Sequence, residues 1–260
     1  MGSQAMQATL WGRRPLDWAS IQEATNLPAF DFVLQRLDLS PADTLLDIGC
    51  GSGLFCSLAA ASGATVTGFD GTEPLILVAR DRFPNTTFLV GEMEELPFPD
   101  ASFHIVTGFN SFQYATSTAN ALHEAFRVLR PGGRFAAMTW GNKEDCQAAV
   151  ALAAIGKMLP PPPPGAPGPF ALSEGRKLEQ LLTETGFHVT SSTDVPTIWD
   201  YPDLETGLKG FLASGPATRA IDHSGFENVY ASLLDSAQPF VQPNGHLVYN
   251  NTNRVVLATK

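Results

Sequence analysis

Leu45-Leu46-Asp47-Ile48-Gly49-Cys50-Gly51-Ser52-Gly53 is the stretch on which the reading of this chain turns. Thr44–Ile48 is a short, mostly apolar run ending in glycine, the signature of a buried strand. Glycine at every second position lets the chain turn tightly and lets a ligand touch bare backbone. Leu54–Ala61 follows as a small-residue helix closed by Gly63. Its first turn would present free N–H groups and the positive end of its dipole. The spacing is GxGxG with Leu54 next, so the dinucleotide pattern GxGxxG/A is broken. Asp47, just ahead of the loop, would repel a pyrophosphate but suits a ligand with an ammonium group.

Outward from this motif, strand and helix signals alternate. Thr65–Phe69, Thr87–Val90, Phe103–Phe109 and Arg134–Trp140 read as strands, Pro74–Phe83 and Ala119–Leu129 as helices. Such alternation predicts a parallel sheet covered on both faces, so the first ~140 residues contain a doubly wound core. Upstream, residues 16–38 read as one or two helices with Pro28 as a natural break. Downstream, Glu144–Met158 is an Ala-rich helix, and Pro160–Pro164 with Gly165, Pro167 and Pro169 is a stiff connector. Ser173 can cap a helix running to Thr185, stopped by Gly186. His188–Val195 and Arg254–Thr259 are the last strands. Two helices, Asp203–Ser214 and Gly225–Ala237, are inserted between them and can lie over the C-terminal edge of the sheet as a mobile lid.

Composition narrows the function. The 260 residues are 44% apolar and 16% charged, an ordinary globular usage, and the net charge is −10. An acidic chain lacks the basic footprint of a nucleic-acid binder and the charge for an anionic membrane surface. Cys50, Cys56 and Cys146 form no CxxC pair and have no histidine cluster beside them, which speaks against a zinc site and for a reducing compartment. No apolar run approaches a bilayer span, and Met1–Gln7 lacks the charged and apolar regions of a signal peptide, so a cytoplasmic protein is expected.

Two further elements sharpen the glycine loop. Asp70 ends the second strand about twenty residues on, where a carboxylate can accept both hydroxyls of a ribose. Gly91-Glu92-Met93-Glu94-Glu95-Leu96-Pro97-Phe98 follows the third strand, where a carboxylate and a backbone N–H could read an adenine edge; Glu95 reads as a solvated acid.

Together these residues resemble the class I S-adenosylmethionine-dependent methyltransferases, in particular the small-molecule family related to the ubiquinone-biosynthesis enzyme (the type 11 domain). DIGCGSG, the Asp70 turn, GEMEELPFPDASF and RVLRPGGRF occur in order at family spacing. The resemblance implies an α/β, Rossmann-like doubly wound seven-stranded sheet whose last strand is antiparallel, with N-terminal cap helices and a helical lid insertion. It divides the chain into cap helices over 1–40, a cofactor-binding core over 41–141, and the rest of the same catalytic domain over 142–260. It implies S-adenosylmethionine as cofactor, with S-adenosylhomocysteine as product and no metal. Gly49, Cys50, Gly51 and Gly53 would pass under the methionine part, and Asp47 would face its amino group. Asp70 and Gly71 would hold the ribose, Glu92 and Met93 the adenine, and Asn110 the methionine or ribose. The family more often has Asp at position 92, and Glu is one carbon longer. Trp11-Gly12-Arg13, Asp17-Trp18-Ala19 and Gln22-Glu23 resemble a cap helix whose aromatic residues, Trp18 among them, close over the cofactor; packing of Trp11 and Trp18 into the core is the alternative. His104 opens its strand at the edge away from the cofactor and reads as structural.

The substrate should lie over the C-terminal ends of the fourth and fifth strands, near Asn110, Ser111, Gln113, Tyr114 and Trp140, with Trp199 and Tyr201 leading into the lid. These residues suggest an aromatic-walled pocket for a small, mostly apolar molecule. The expected activity is methyl transfer to such a molecule by a monomer or homodimer, with O-, C- and N-methylation left open and no catalytic base assigned. The alternatives are a cofactor-binding fold turned to cyclisation or regulation, and a Rossmann oxidoreductase, which the broken glycine pattern disfavours.

Overall fold

The computed structural model describes residues 3–161 and 168–260; of the proline-rich connector, residues 162–167 lie outside the described residues. Seven strands form one sheet in the order β3-β2-β1-β4-β5-β7-β6. They are β1 (Thr44–Ile48), β2 (Thr65–Asp70), β3 (Thr87–Val90), β4 (Phe103–Phe109), β5 (Leu129–Trp140), β6 (His188–Tyr201) and β7 (Leu247–Thr259). β1 to β5 pair in parallel, and β7 runs antiparallel between β5 and β6. This is the expected Rossmann-like sheet with its last strand reversed. Strand order reverses between β1 and β4, so the crevice beyond their carboxyl ends is where such sheets take ligands.

Alternation along β1 shows how the sequence sorts its faces. Leu46 and Ile48 join a core beneath α6 (Thr118–Val128) and α8 (Lys177–Thr185). Leu45 joins the opposite core, beneath α3 (Leu27–Leu37), α4 (Leu54–Ala60) and α5 (Glu73–Arg82). A third core lies past the sheet edge. There the outer halves of β6 and β7 form a two-stranded ribbon covered by α7 (Ala149–Lys157), α9 (Leu204–Leu212), α10 (Gly215–Ser224) and α11 (Phe226–Ala237). Among the described residues no helix is long and apolar enough to cross a membrane.

Several elements differ from expectation, each for an identifiable reason. β6 continues to Tyr201 and β7 starts at Leu247, so Trp199 and Tyr201 lie within the sheet and do not lead into the lid. Val195, Thr197, Trp199 and Tyr201 are buried while Pro196, Ile198 and Asp200 are not, a strict two-residue period that Pro196 and Asp200 disguise. The polar run Asn250–Asn253, ahead of the expected last strand Arg254–Thr259, is also strand. Asn251 and Asn253 are buried, Asn251 Oδ1 accepting the Ala148 N–H (2.9 Å) and Asn253 Oδ1 the Thr197 hydroxyl (3.0 Å). The lid has three helices rather than two, because Gly215-Pro216 opens α10 behind the Ser214 cap. All three bury apolar residues, so the insertion is a packed layer and not a loose flap.

Other boundaries shift by a turn. Ser173 does not cap α8; its hydroxyl donates to the Phe170 carbonyl (2.8 Å), and a 3-10 turn over Glu174–Arg176 precedes the helix. Likewise a 3-10 turn over Lys143–Asp145 stands where the Ala-rich helix was expected to begin, and α7 starts at Ala149. Upstream, the chain steps through α1 (Gln4–Trp11), α2 (Pro15–Asp17), a π turn over Trp18–Gln22 and a 3-10 turn over Glu23–Asn26. Pro28 therefore sits in the first turn of α3 and breaks nothing.

Candidate functional site

The loop leaving β1 is held open by its neighbours. Gly49 and Cys50 both donate their N–H to the Phe69 carbonyl (2.7 and 3.2 Å), which pins the loop to the end of β2. Gly49 has φ +76°, and a Cβ there would lie 2.3 Å from Ser111 Cβ. Gly51 has φ +54°, and the Trp18 indole nitrogen would lie 3.4 Å from its Cβ, so Trp18 is seated over the loop. The loop thus needs glycine at 49 both for its left-handed backbone and for the close approach of Ser111, and at 51 for its left-handed backbone alone. Gly53 is also left-handed and caps α4. Cys50 turns its thiol inward, against the position that a Gly68 Cβ would fill, leaving only its backbone at the loop.

Three carboxylates surround this loop. Asp47 is 2% exposed; its Oδ1 accepts the Thr107 hydroxyl (2.7 Å) and its Oδ2 the Cys56 thiol (3.6 Å). Burial pushes its carboxyl up to about 7, and the charges of Asp70 and Glu23 push the same way against those two hydrogen bonds. Asp70 Oδ2 accepts the Gly51 N–H (2.9 Å) and Oδ1 the Thr72 N–H (2.7 Å), so this carboxylate shapes the loop directly. Burial raises its pKa too, against those bonds.

Glu23, named in the sequence only as part of the cap-helix resemblance, has a role at the loop that sequence reading missed. Its Oε1 accepts the Leu54 N–H (3.1 Å) and its Oε2 meets Arg82 (2.7 Å). The first N–H of α4, expected to face a ligand, is therefore taken by a side chain of the cap. No local pattern separates Glu23 from a surface acid; its role arises from the fold of the π and 3-10 turns onto α4. With Glu23 and Asp47 here, a pyrophosphate would meet two carboxylates. Glu23→Gln keeps an acceptor for Leu54 but removes a charge-assisted pair worth roughly 1.5–3 kcal/mol. Thermal unfolding of that variant should shift down by several degrees; an unchanged midpoint would mean that the contact is not structural.

The acidic loop after β3 meets the N-terminal helix. Glu92 Oε2 accepts the Gln4 N–H at the start of α1 (2.8 Å), and Oε1 the Glu94 N–H (3.2 Å). Gly71 lies under the same helix, since a Cβ there would be 3.3 Å from Gln4 Cγ. Met93 packs, half-buried, on the core beneath α6. Glu94 accepts the Thr116 and Ser117 N–H groups (2.7 and 3.2 Å), and Glu95 is exposed. Arg127 holds the Leu96 and Phe98 carbonyls (3.0 and 2.8 Å), which gives the RVLRPGGRF motif a structural job.

Asn110, just past β4, is forced to φ +50°, and its N–H donates to the Met138 carbonyl (2.8 Å). Its buried Oδ1 has no partner, nor do the buried hydroxyls of Ser52 and Ser111. Buried polar atoms without partners are uncommon, and here three gather around one glycine loop with three carboxylates. The constellation fits a ligand that is cationic, donates hydrogen bonds and lies against bare backbone.

The cap and the lid meet above. Trp11 stands edge-on to Trp18 and Tyr114 (centroids 4.9 and 5.3 Å), and packs closely on Gly215 of α10. Arg13 forms a bidentate pair with Asp222 of α10 (2.7 and 3.0 Å), and Tyr201 donates to Gln22 Oε1 (2.9 Å). None of the histidines hydrogen-bonds the glycine loop or its three carboxylates. His104 Nδ1 accepts the Thr44 N–H (3.1 Å), as its structural reading expected, while His123, His188 and His223 are exposed. His246 pairs with Asp200 (2.7 Å), which lies on the outward face of the ribbon.

Residues 46–137 match a family of methyltransferase domains. A demethylmenaquinone methyltransferase of Chlorobaculum tepidum is 40% identical over 90 residues, 34% of this chain and 37% of that protein. An O-methyltransferase of Pyrenophora dematioidea is 31% identical over 170 residues, 63% of this chain and 61% of that one. The chain thus spans between 37% and 61% of the length of these two curated relatives. The crystal structure of the 4+2 cyclase SpnF shares the fold, with a TM-score of 0.59 at 19% identity over 91% of this chain and 81% of that one.

Proposed function

We propose that this protein, whose residues 46–137 match a methyltransferase domain and resemble a demethylmenaquinone methyltransferase, binds S-adenosylmethionine and methylates a small, mostly apolar organic molecule. The observation that carries the reading is the ring of Asp47, Asp70 and unpartnered Asn110 Oδ1 around the glycine loop, an acceptor-rich site for a cationic ligand.

In this reading Gly49, Cys50, Gly51 and Gly53 offer their backbone to the methionine part, and Asp47 and Asn110 face its amino group. Asp70 and Gly71 receive the ribose, Glu92 and Met93 the adenine, and Trp18 closes over the loop. Because Glu92 already holds the Gln4 N–H, an adenine amino group must share that carboxylate with α1 or displace the helix. When bound, the sulfonium supplies an already activated methyl group. The protein's part is then alignment and exclusion of water, which the cap, lid and aromatic residues provide. Residues 1–40, 41–141 and 142–260 act in this scheme as cap, cofactor core and substrate-covering remainder of one catalytic unit. The net charge of −10 supports a small-molecule substrate over nucleic acid. A cytoplasmic monomer or homodimer is the state in which we expect it to act.

Calorimetry with S-adenosylhomocysteine should give micromolar binding, about 8 kcal/mol. Clear binding of NAD with none of S-adenosylhomocysteine would overturn the assignment. With a substrate in hand, release of S-adenosylhomocysteine separates methyl transfer from a cofactor-binding role without turnover.

A further inference from the structure

Beyond the sheet edge, Trp199 on β6 and Tyr249 on β7 face each other as a cross-strand pair. Both are buried, at 5% and 0% exposure. Both carry a solvent-shielded polar atom without a partner, the Trp199 indole N–H and the Tyr249 hydroxyl. Phe211 of α9 touches both rings (centroids 5.7 and 5.5 Å), and Trp140, at the end of β5, lies 5.4 Å from Trp199. The neighbouring polar groups on this face are used: Thr197 bonds Asn253, and Tyr201 bonds Gln22 of the cap. Two orphaned groups on adjacent strands, in an otherwise satisfied face, mark a place where hydrogen bonds wait for a ligand. The position agrees with that use, since the pair lies outward of the carboxyl ends of β4 and β5, under the lid.

We propose that Trp199 and Tyr249 form a polar anchor for the substrate, and that the substrate carries a hydrogen-bond-accepting oxygen on an apolar frame. The chemistry of the pair sets the polarity. An indole N–H donates and cannot accept, and a phenol can donate alongside it. The matching group is therefore a carbonyl, ether or hydroxyl oxygen and not an ammonium. The surrounding Trp140, Phe211 and Phe240 rings accept only apolar surface beside it. The pair binds and positions; it touches neither the glycine loop nor Asp70. This inference rests on the methyltransferase reading for calling the ligand a substrate, but the binding site stands on its own geometry.

The test uses two probes of one shape, 2-acetonaphthone and 2-isopropenylnaphthalene, which differ only in C=O against C=CH2. Each is titrated calorimetrically into the full chain, with and without saturating S-adenosylhomocysteine. The wild type should favour the ketone roughly tenfold, the effect of one or two buried hydrogen bonds. In Tyr249→Phe that preference should shrink towards unity, while thermal stability holds or rises because an unpaired hydroxyl is gone. Trp199→Phe should shrink it as well and serves as the second variant if either fails to fold. Failure of both probes to bind, or a preference unchanged in both variants, would overturn the anchor. Absence of S-adenosylhomocysteine binding with the ketone preference intact would instead remove the methyltransferase reading and leave the anchor standing.

Discussion

Asp70→Ala should lower the affinity for S-adenosylhomocysteine by roughly a hundredfold or more. A carboxylate accepting two ribose hydroxyls makes two charge-assisted hydrogen bonds of about 1.5–3 kcal/mol each, and every 1.4 kcal/mol is tenfold. The geometry adds a second consequence. Asp70 already accepts the Gly51 and Thr72 N–H groups, so its loss frees two backbone donors and slackens the glycine loop. That loss must also lower the unfolding temperature of the ligand-free protein. A mutant cycle separates the two effects. S-adenosylhomocysteine lacking both ribose hydroxyls should bind the wild type much more weakly than the parent ligand, yet bind Asp70→Ala as the parent does. Equal losses for both ligands on mutation would assign Asp70 to the loop alone.

What the sequence made legible was whatever is written in local pattern. β1, its glycine turn and the alternation of β2 to β4 with helices follow from periodicity and from backbone that only glycine adopts. Their order then fixes the switch point between β1 and β4, and with it Asp47, Asp70 and Asn110. Contacts between distant segments were not legible. Glu23 caps α4 from thirty-one residues upstream, and Gln4 reaches Glu92 across eighty-eight. The outer β6–β7 ribbon was hidden for another reason. Asn250–Asn253 is polar and lies ahead of the expected strand Arg254–Thr259, and only their partners in the folded chain let Asn251 and Asn253 be buried in a strand. Trp199 was legible only as a candidate wall of the substrate pocket, and its unpartnered N–H opposite Tyr249 exists only once the strands are in register.

Cofactor binding should also be strongly pH-dependent, and mainly through one residue. Burial holds the Asp47 carboxyl near 7, with Asp70 and Glu23 adding repulsion, while its bonds from Thr107 and Cys56 pull down and do not prevail. In the ligand-free protein Asp47 thus keeps a proton that the unfolded chain releases near 3.8. Between those two values the native state binds more protons than the unfolded one, so this residue makes stability fall as pH rises from about 4 to 7. A ligand ammonium reverses the preference, because it favours the ionised carboxylate. Binding must then expel the proton below pH 7, and affinity should rise by up to about tenfold per pH unit until it levels off above that value. Between pH 5.5 and 7.5 the dissociation constant of S-adenosylhomocysteine should drop by about 20-fold. Calorimetry at pH 6 in buffers of different ionisation heat should register release of close to one proton. Asp47→Asn should bind more weakly at pH 7.5 and lose most of the slope. The residual slope belongs to Asp70, whose carboxyl burial also raises, and Asp70→Asn tests that share. A wild-type affinity flat across this range, or a slope undiminished in Asp47→Asn, would place the ligand's ammonium elsewhere than beside Asp47.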